Sequence, residues 1–281
     1  MTVKIITDSL SDITSDLAGE LGVTVVPLTV IFGHETFLDR VTMTTDEFYR
    51  RLTDGTVWPT TTQPTPAAFA EVYNTLAKET DEILVVTLSG KMSGTYQSAL
   101  GAKNMFKGKC RIEIIDSQLV AMSLGSLVIS AARKAKAGAT LDELVNSVKK
   151  AMPRSHFVVY FDTLKYLAKG GRIGKAQGLL GAMLSVKPIL TVKEGEMAPL
   201  TRLRSLSAGL DYLYNFAKGY PDAELVAVEH ATTPDEADRL ADRLSSTFPK
   251  ERIIKAVISP VLGVYGGPGA MAVTVLEAEK K

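Results

Sequence analysis

Residues 85–99 read VVTLSGKMSGTYQSA. The apolar run that ends at Leu88 predicts a buried strand, and Ser93 is a candidate N-cap for the helix that follows. The loop between them brings hydroxyls and unpaired backbone N–H groups to the carboxyl end of a strand, where ligands bind in parallel α/β sheets. A helix start also favours anions. An ordinary strand-to-helix turn has the same spacing, so this segment alone leaves a ligand site and a structural turn equally open.

Two further segments in the first half of the chain repeat this pattern. Short apolar strands are predicted at 3–7 and 111–115, and they end in Asp8-Ser9 and Asp116-Ser117. Helical patterns separate the strands, which predicts a mainly parallel sheet with right-handed crossovers. The three strand ends should therefore lie at one edge of the sheet. We expect Asp8 and Asp116 to stabilise turns and helix starts rather than to act as catalytic acids.

Other segments of the first half carry weaker patterns. Residues 23–32 predict one strand that Pro27 places at a sheet edge or at a bulge. Residues 33–44 predict a loop, and the proline-rich residues 58–66 predict irregular structure. A helix is expected at 119–136.

The pattern changes in the second half of the chain, from His156 onward. Strands are predicted at 157–161, 224–229, 253–258 and 270–276, with a hairpin that turns at Glu194-Gly195 and an almost wholly apolar helix at 176–184. This varied order is typical of a mixed α+β unit. We therefore predict a two-domain α/β protein, with an N-terminal, mainly parallel domain at 1–154 and a C-terminal α+β domain at 155–281.

Composition excludes several classes of protein. Of the 281 residues, 46% are hydrophobic, and 32 Lys+Arg balance 31 Asp+Glu, which argues against a broad nucleic-acid surface. No apolar run reaches the length of about 18 residues that a membrane span needs. The single cysteine, Cys110, excludes an internal disulfide, and the N-terminus lacks the apolar core of a signal peptide. We expect a cytoplasmic protein.

Familiar catalytic motifs are absent from the sequence. Gly174-Lys175 lacks the flanking residues of a phosphate-binding P-loop, and residues 267–272 lack the last glycine of a dinucleotide fingerprint. The spacing around Ser93 does not match a hydrolase nucleophile elbow. The three histidines have no partners at metal-ligand or triad spacing. The sequence offers anion-binding loops without catalytic machinery, which favours a binding protein over an enzyme.

Four stretches taken together are more specific than any single motif. They are Asp8-Ser9-x-Ser11-Asp12, Thr61-Thr62-Gln63-Pro64, the segment 88–99, and Leu164-x-Tyr166-Leu167-x-Lys169-Gly170-Gly171-Arg172-Ile173-Gly174. In this order and spacing the chain resembles the bacterial DegV family of fatty-acid-binding proteins. The resemblance spans nearly the whole chain and continues through Gly266-Gly267-Pro268-Gly269.

The resemblance implies a fold, a ligand and a partner. DegV-like proteins have two α/β domains and bury one long-chain fatty acid, such as palmitate, stearate or oleate, with its tail in an apolar tunnel. Some members present the carboxylate to a separate ATP-dependent fatty acid kinase subunit, which forms an acyl phosphate for phospholipid synthesis. No cofactor and no nucleic acid are implied, and transient contact with a membrane surface is compatible with this role. The helix at 176–184 is then a candidate tunnel wall, although a plain core helix has the same composition.

The resemblance also assigns site residues by motif. Thr61 and Ser93 would hold the carboxylate, and their neighbours Thr62, Gly94 and Thr95 would support them. Arg204 would compensate the charge, with Arg202 as the fallback. Tyr265 and Gly266 would complete the ligand site, and Arg172 would face a partner or border the site.

Tyr265 is a departure from the family pattern, because members commonly carry a histidine there. A tyrosine donates a neutral hydrogen bond but carries no positive charge near pH 7. The chain could then bind a fatty acid without supporting its phosphorylation, or hold a somewhat different ligand. Arg204 would carry more of the charge compensation.

Two alternatives stay open at this point. One is a small-molecule enzyme that acts on a carboxylated or phosphorylated substrate at the same loops; it requires turnover without a second protein and lacks an evident general base. The other is a regulatory or nucleic-acid-binding protein. Because positive and negative charges are balanced, this alternative agrees least well with the sequence.

Overall fold

The computed structural model describes residues 2–179 and 186–279. Its strands are β1 (Lys4–Asp8), β2 (Val23–Val26), β3 (Thr29–Phe32), β4 (Glu35–Leu38), β5 (Thr60–Thr62), β6 (Glu82–Thr87), β7 (Arg111–Asp116), β8 (Ser155–Tyr160), β9 (Lys187–Lys193), β10 (Glu196–Leu203), β11 (Ala223–His230), β12 (Ile253–Val257) and β13 (Met271–Glu277).

The α-helices are α1 (Ser15–Leu21), α2 (Thr45–Asp54), α3 (Pro66–Leu76), α4 (Thr95–Met105), α5 (Met122–Lys136), α6 (Leu141–Ala151), α7 (Lys165–Lys169), α8 (Leu206–Lys218), α9 (Pro234–Leu244) and α10 (Pro260–Gly266). Short 3-10 helices cover Ser9–Ser11, Met152–Arg154, Gly174–Leu179 and Lys250–Arg252. None of the helices in the described ranges has the length and apolar character needed to cross a membrane.

The first large sheet has the strand order β2-β1-β6-β7, and all three pairings are parallel, as the sequence predicts. Because parallel neighbours run in the same direction, β1, β6 and β7 end together. The backbone N–H of Leu88 donates to the Asp8 carboxylate at 2.7 Å, and that of Gly90 donates to Asp116 at 3.0 Å. The expected grouping of the three strand ends at one sheet edge is therefore confirmed.

The prediction of a single strand at residues 23–32 is wrong. β2 belongs to the parallel sheet, whereas β3 pairs antiparallel with β4 and β5 in a separate three-stranded sheet. Pro27 lies between them and has no N–H to continue a ladder, so the chain changes sheets there. The expected loop at 33–44 contains β4, and the proline-rich segment contains β5, whose three threonines lie between Pro59 and Pro64.

The second large sheet has the strand order β10-β9-β8-β13-β11-β12. The pair β11 and β12 is parallel, and the other pairs are antiparallel. The predicted hairpin joins β9 to β10, and its turn residues Glu194 and Gly195 have φ values of 56° and 80°. The fold is therefore α/β with one parallel and one mixed sheet, as predicted. β8 begins at Ser155, beside the proposed domain boundary, and the division into two domains stays a prediction.

Three helix predictions differ from the structure. The N-cap of α4 is Gly94 rather than Ser93, whose hydroxyl instead accepts a hydrogen bond from the N–H of Thr95 at 3.3 Å. α5 begins at Met122, later than predicted, because Ala121 before it has a positive φ of 58°. Of the apolar helix predicted at 176–184, the part up to Leu179 is a 3-10 helix, and residues 180–184 lie outside the described residues.

Helix α5 connects the two large sheets. It is buried along most of its length and contacts β1 and β6 of the parallel sheet as well as β8, β11 and β13 of the mixed sheet. One continuous apolar core consequently contains side chains from both sheets. This arrangement places the carboxyl ends of the parallel strands against one face of the mixed sheet.

Four acidic side chains are buried at this junction. Asp8, Asp12, Asp39 and Glu229 are each at most 2% exposed, and the guanidinium of Arg40 lies 3.9 Å from Asp12. Burial raises the pKa of Asp8 and of Asp39 to about 7, and that of Asp12 to about 6. Burial also raises the pKa of Glu229, with a further contribution from the nearby Asp12 charge. The cluster therefore retains protons near neutral pH that exposed carboxyl groups release.

These acids also hold the backbone of segments from both halves of the chain. Carboxylate oxygens accept backbone N–H bonds at distances from 2.7 to 3.4 Å, with the donors Leu10 and Leu88 on Asp8, Ser259 on Asp12 and Met122 on Glu229. A buried carboxylate that loses such partners is strongly destabilised. The cluster thus fixes the positions of four chain segments that meet at the junction.

The cluster predicts a pH dependence of stability that Asp39→Asn should reduce. One carboxylate oxygen of Asp39, Oδ1, is buried with no hydrogen-bond partner among the described residues. With a folded-state pKa of about 7 against about 4 when unfolded, Asp39 binds more protons in the folded state between these pH values. Its contribution to the free energy of unfolding is largest below pH 4 and falls as pH rises to 7, by at most about 1.4 kcal/mol per pH unit.

The measurement is urea unfolding of the wild type and Asp39→Asn at intervals between pH 5 and 8. The difference between the two proteins removes the contribution of groups that Asp39 does not influence, such as His230. The Asp39 charge also raises the pKa of Asp8, so the loss of this charge changes the difference in the same direction. The variant should gain stability relative to the wild type as pH rises, whereas the exposed control Asp222→Asn should not. A wild type and an Asp39→Asn variant with parallel pH profiles would contradict the assignment.

Candidate ligand-binding site

A cavity lies between the two large sheets, with an empty volume of about 850 Å³ that includes a part open to solvent. The buried part of its wall is apolar, formed by Leu10, Leu28, Leu88, Val120, Ala121, Phe157, Val159, Phe161, Leu167, Met197, Ile258, Val261, Ala270 and Ala272.

The mixed sheet supplies one wall of the cavity through the alternation of its strands. Phe157 and Val159 of β8 face the cavity, whereas Val158 and Tyr160 pack into a separate apolar cluster on the other face. Side chains along a strand point to opposite faces in turn, so one strand serves both. The small side chain of Ala272 on β13 leaves space in the cavity.

The polar side chains of the cavity lie at its solvent end. Those that line it are Thr61, Gln63, Ser93, Arg172 and Tyr265, and each is partly or fully exposed. The apolar wall residues named above are buried. The cavity is therefore amphipathic, with an apolar interior and a mouth of hydrogen-bonding side chains.

Thr61 and Tyr265 form a direct hydrogen bond at this mouth, between the threonine Oγ1 and the tyrosine hydroxyl. Thr61 is the central residue of β5, so strand alternation turns it inward while Thr60 and Thr62 remain exposed. Tyr265 lies in the last turn of α10. The N-cap of this helix is Ser259, whose backbone N–H donates a hydrogen bond to the Asp12 carboxylate. The bond thus joins the three-stranded sheet to α10.

Ser93 lies in the loop between β6 and α4. Its hydroxyl is 2.9 Å from the Thr95 hydroxyl. Ser89, at the start of this loop, is fully buried. Its hydroxyl donates a hydrogen bond to the carbonyl of Gly195 in the β9–β10 hairpin at 2.7 Å. The position of Ser93 is therefore fixed by contacts with both large sheets.

Arg172 supplies the cation at the mouth. Its Nη1 donates to the carbonyl of Gly170 at 2.8 Å, its Nε donates to that of Met92 at 3.3 Å, and its guanidinium carbon lies 5.3 Å from the centre of the Tyr265 ring. The turn that carries it needs Gly171, which has a φ of 72°. These contacts place one guanidinium next to both the Ser93 loop and Tyr265.

Gly170 gives Tyr265 room at this mouth. A Cβ at position 170 would lie 2.4 Å from Cδ1 of the Tyr265 ring, so a side chain here would displace the ring. The glycine in the Gly-Gly-Arg turn therefore allows α7 and α10 to approach closely.

The structure brings together most, but not all, of the residues singled out from the sequence. Thr61, Ser93, Tyr265 and Gly266 line the cavity, and Thr95 is buried behind Ser93. Gly94 lies on the loop beside the mouth, and Thr62 is exposed on the outer face of β5. These positions describe the geometry of the site, and ligand contact at each residue stays a prediction.

Arg204 is not brought to the cavity. It is exposed between β10 and Ser205, the N-cap of α8, and Arg202 is exposed as well. The chain turns there into α8, which packs through Leu213 with Tyr160 on the face of the mixed sheet that points away from the cavity. Arg172, and not Arg204, lines this mouth. The expectation that Arg204 compensates the charge of a ligand gains no support from this geometry and stays a prediction.

Sequence reasoning missed other parts of the site. Helix α10 was not predicted, although Ser259-Pro260 is a recognisable helix start with proline in the first turn. Gln63 was quoted only as part of a motif, and Met92 and Met197 carried no signal that distinguishes a wall residue from core.

The polar groups that the cavity offers are hydroxyls, an amide and one guanidinium. The cavity residues within the described ranges include no histidine and no carboxylate, and no group of three or more potential ligands in those ranges is arranged to hold a metal ion. Hydroxyls and a guanidinium at the end of an apolar cavity suit an amphiphile with an acidic head and a long apolar tail.

Comparison with known proteins agrees with this geometry. A family model described as "Uncharacterised protein, DegV family" matches residues 2–278. A DegV domain-containing protein of Caldanaerobacter subterraneus subsp. tengcongensis is 37% identical over 96% of this chain and 97% of its own length.

Two solved structures are also similar. A DegV family protein of Thermus thermophilus, described by its fatty acid binding, has a TM-score of 0.91 and 30% identity, and covers 99% of this chain and 100% of its own. A stearic-acid-binding protein of Eubacterium ventriosum has a TM-score of 0.90 and 25% identity, with 98% of both chains covered. The resemblance found in the sequence motifs is confirmed: the chain belongs to the DegV family.

Proposed function

We propose that this protein binds one long-chain fatty acid in the apolar cavity and presents its carboxylate at the mouth to a partner kinase subunit. The observation that carries the proposal is the amphipathic cavity itself, with a buried apolar wall and a mouth formed by Thr61, Ser93, Arg172 and Tyr265. The fatty acid binding of its structural relatives supports the same ligand class.

The tail should provide most of the affinity. A sixteen-carbon chain buries roughly 15 methylene-sized groups at about 0.8 kcal/mol each, or about 12 kcal/mol before the loss of translational and rotational freedom is subtracted. Side chains such as Leu10, Leu88 and Val261 are buried around the cavity and offer the required apolar contacts. Chain length and shape are then selected by the depth of the cavity.

The mouth should determine where the head group stops. A carboxylate removed from water needs hydrogen bonds or an opposite charge, because an unpaired buried charge is very unfavourable. The hydroxyls of Ser93 and Thr61 can donate such bonds, and Arg172 lies beside them with its positive charge. Hydrogen bonds to a charged group contribute about 1.5–3 kcal/mol each.

Presentation to a kinase needs no general base from this chain. A fatty acid carboxylate is already ionised at pH 7 and can act as the nucleophile. One of its oxygens would bond to the γ-phosphorus of ATP supplied by the partner, while the bond from that phosphorus to ADP breaks and ADP leaves with the electron pair. The absence of an acid or base among the described cavity residues is compatible with this division of labour.

The wild-type protein should retain fatty acid after purification, and Ala272→Phe should lose it. A phenylalanine ring at this small wall position would occupy the space of the tail. We expect lipid extraction and mass spectrometry to recover long-chain fatty acid from the wild type, and calorimetry to show palmitate affinity reduced at least about tenfold in the variant. Ala67→Phe, at an exposed position of α3, is the control. Recovery of an empty wild type with no palmitate affinity would reject fatty acid binding.

Ser93→Ala should weaken palmitate binding by roughly 10- to 100-fold, because the carboxylate loses a hydroxyl donor at the mouth. The matched control is Ser207→Ala, at an exposed position of α8 on the opposite face of the mixed sheet. Both dissociation constants are measured by calorimetry with delipidated protein. Equal affinities of the two variants would show that Ser93 does not contact the head group.

The kinase role is tested with a purified fatty acid kinase catalytic subunit, ATP and palmitate-loaded protein. Acyl phosphate is trapped with hydroxylamine as the hydroxamate and quantified by mass spectrometry. We expect product with the wild type and a marked reduction with Ser93→Ala. If palmitate binds but no hydroxamate forms, the presentation role is rejected while fatty acid binding stands, and Tyr265→His then tests whether the missing histidine is the reason.

A further inference from the structure

A pair of buried carboxyl groups joins the two large sheets behind the apolar cavity. Glu229 lies on β11 of the mixed sheet, and Asp12 follows the 3-10 helix after β1 of the parallel sheet. Both side chains are fully buried, and the two carboxyl groups are within hydrogen-bonding reach of each other. Because an ionised carboxylate only accepts hydrogen bonds, two of them in contact lack a donor. The contact therefore indicates a proton between the two groups.

The surrounding hydrogen bonds assign this proton to Glu229. Its Oε1 accepts the N–H of Met122 at 3.0 Å, whereas its Oε2 is buried with no partner among the described residues. Both oxygens of Asp12 accept from the N–H of Ser259, at 3.3 and 3.4 Å, and the guanidinium of Arg40 lies 3.9 Å from Oδ1. Asp12 thus has the donor and the cation that stabilise an ionised carboxylate. A proton on Oε2 of Glu229 makes that oxygen a donor to Asp12.

The other charged groups around the pair agree with this assignment. The titratable and charged side chains that face the pair from neighbouring elements are Asp8, Asp39, Arg40 and Tyr49. Arg40 is the one cation of this set, and the Tyr49 hydroxyl donates to the carbonyl of Ile258 at 3.1 Å instead of to a carboxylate. His230 follows Glu229 in the chain, but strand alternation turns it to the other face of β11. One cation therefore serves several acids, which favours a neutral Glu229.

The pair also fixes two unusual backbone positions around the cavity. Ala121 lines the cavity with a positive φ of 58°, and the next residue, Met122, donates its N–H to Glu229. Asp12 itself has a φ of 50°, and the Ser259 N–H that it accepts belongs to the N-cap of α10. Residues other than glycine keep such a backbone only where their surroundings hold it. The pair therefore fixes one wall of the cavity and the helix that forms part of its mouth.

We infer that Glu229 is a positioning residue for the ligand, because as a neutral carboxylic acid it shares its proton with Asp12 and keeps the cavity in its binding shape. Loss of the proton leaves two buried carboxylates that repel each other beside a single guanidinium. The cavity wall and α10 then separate and admit water. The inference rests on the proposed function and adds its regulation: fatty acid affinity falls as pH rises through the pKa of Glu229.

Infrared spectroscopy detects the proton without a ligand, because a neutral carboxylic acid has a carbonyl stretch that a carboxylate lacks. At about pH 8.5 exposed carboxyl groups are ionised, and Asp8, Asp12 and Asp39, with pKa values of about 6 to 7, are mostly ionised. Burial, followed by the Asp12 charge, raises the pKa of Glu229 further above its ordinary value. Glu229 is also the one glutamate among the buried side chains of the described ranges. We expect a neutral-acid band that shifts on labelling glutamate carboxyl groups with carbon-13 and disappears in Glu229→Gln.

Calorimetry with delipidated protein and palmitate, between about pH 6.5 and 9.5, tests the positioning role. In Glu229→Gln the amide can donate to Asp12 and accept from Met122, as the neutral acid does, and it has no proton to lose. The variant and the wild type should bind palmitate within about twofold of each other at the lower pH, and the wild type should bind at least about fivefold more weakly than the variant at the higher pH. Glu71→Gln, at an exposed position of α3, is the matched control and should follow the wild type.

The outcomes separate this inference from the proposed function. Parallel pH profiles of the wild type and Glu229→Gln, or the absence of a glutamate-dependent infrared band, would overturn the inference while palmitate binding stands. A wild type with the band but no palmitate affinity at any pH would reject the proposed function and support the shared proton. If Glu229→Gln does not fold, the labelled wild type still provides the infrared result, and a palmitate affinity of the wild type that does not fall with pH would contradict the positioning role.

Discussion

An apolar cavity that opens to water needs polar side chains at its opening, which can form hydrogen bonds with water or with the head group of a ligand. In this protein Thr61, Ser93, Arg172 and Tyr265 are those side chains. They come from four separate segments, and each is fixed by a contact with another: Thr61 with Tyr265, Tyr265 with Arg172, and Arg172 with the carbonyl of Met92 beside Ser93. The function that we propose depends on these contacts, because they position the polar groups of the mouth beside one another.

The fold supports the mouth from behind through buried acids. Asp8 holds the backbone of Leu10 and Leu88, both of which line the cavity, and Asp12 holds Ser259 at the start of the helix that carries Tyr265. Asp8 and Asp12 therefore hold backbone around the cavity. For Asp8, the cap that it forms on the 3-10 helix after β1 agrees with the structural role expected from the sequence. Burial raises the pKa of both groups, and the backbone N–H bonds that they accept lower it in part.

Sequence patterns predicted the parts of the fold that depend on interactions between residues close together in the chain. The apolar strands β1, β6 and β7 and the proline-started helix α3 follow from periodicity and capping, and family motifs identified Thr61, Ser93 and Tyr265. The remainder depends on long-range partners. Three threonines in a proline-rich stretch become β5 only because β3 is beside them, and Arg172 rather than Arg204 reaches the mouth because α8 leads the chain to the other face of the mixed sheet.

The most direct measurement is a crystal structure of the protein with palmitate. The account predicts one fatty acid whose carboxylate lies within hydrogen-bond distance of the Ser93 and Thr61 hydroxyls, with its tail against Leu10, Leu88 and Val261. Density that places the tail elsewhere, or a cavity filled by rearranged side chains with palmitate absent at saturating concentration, would contradict it.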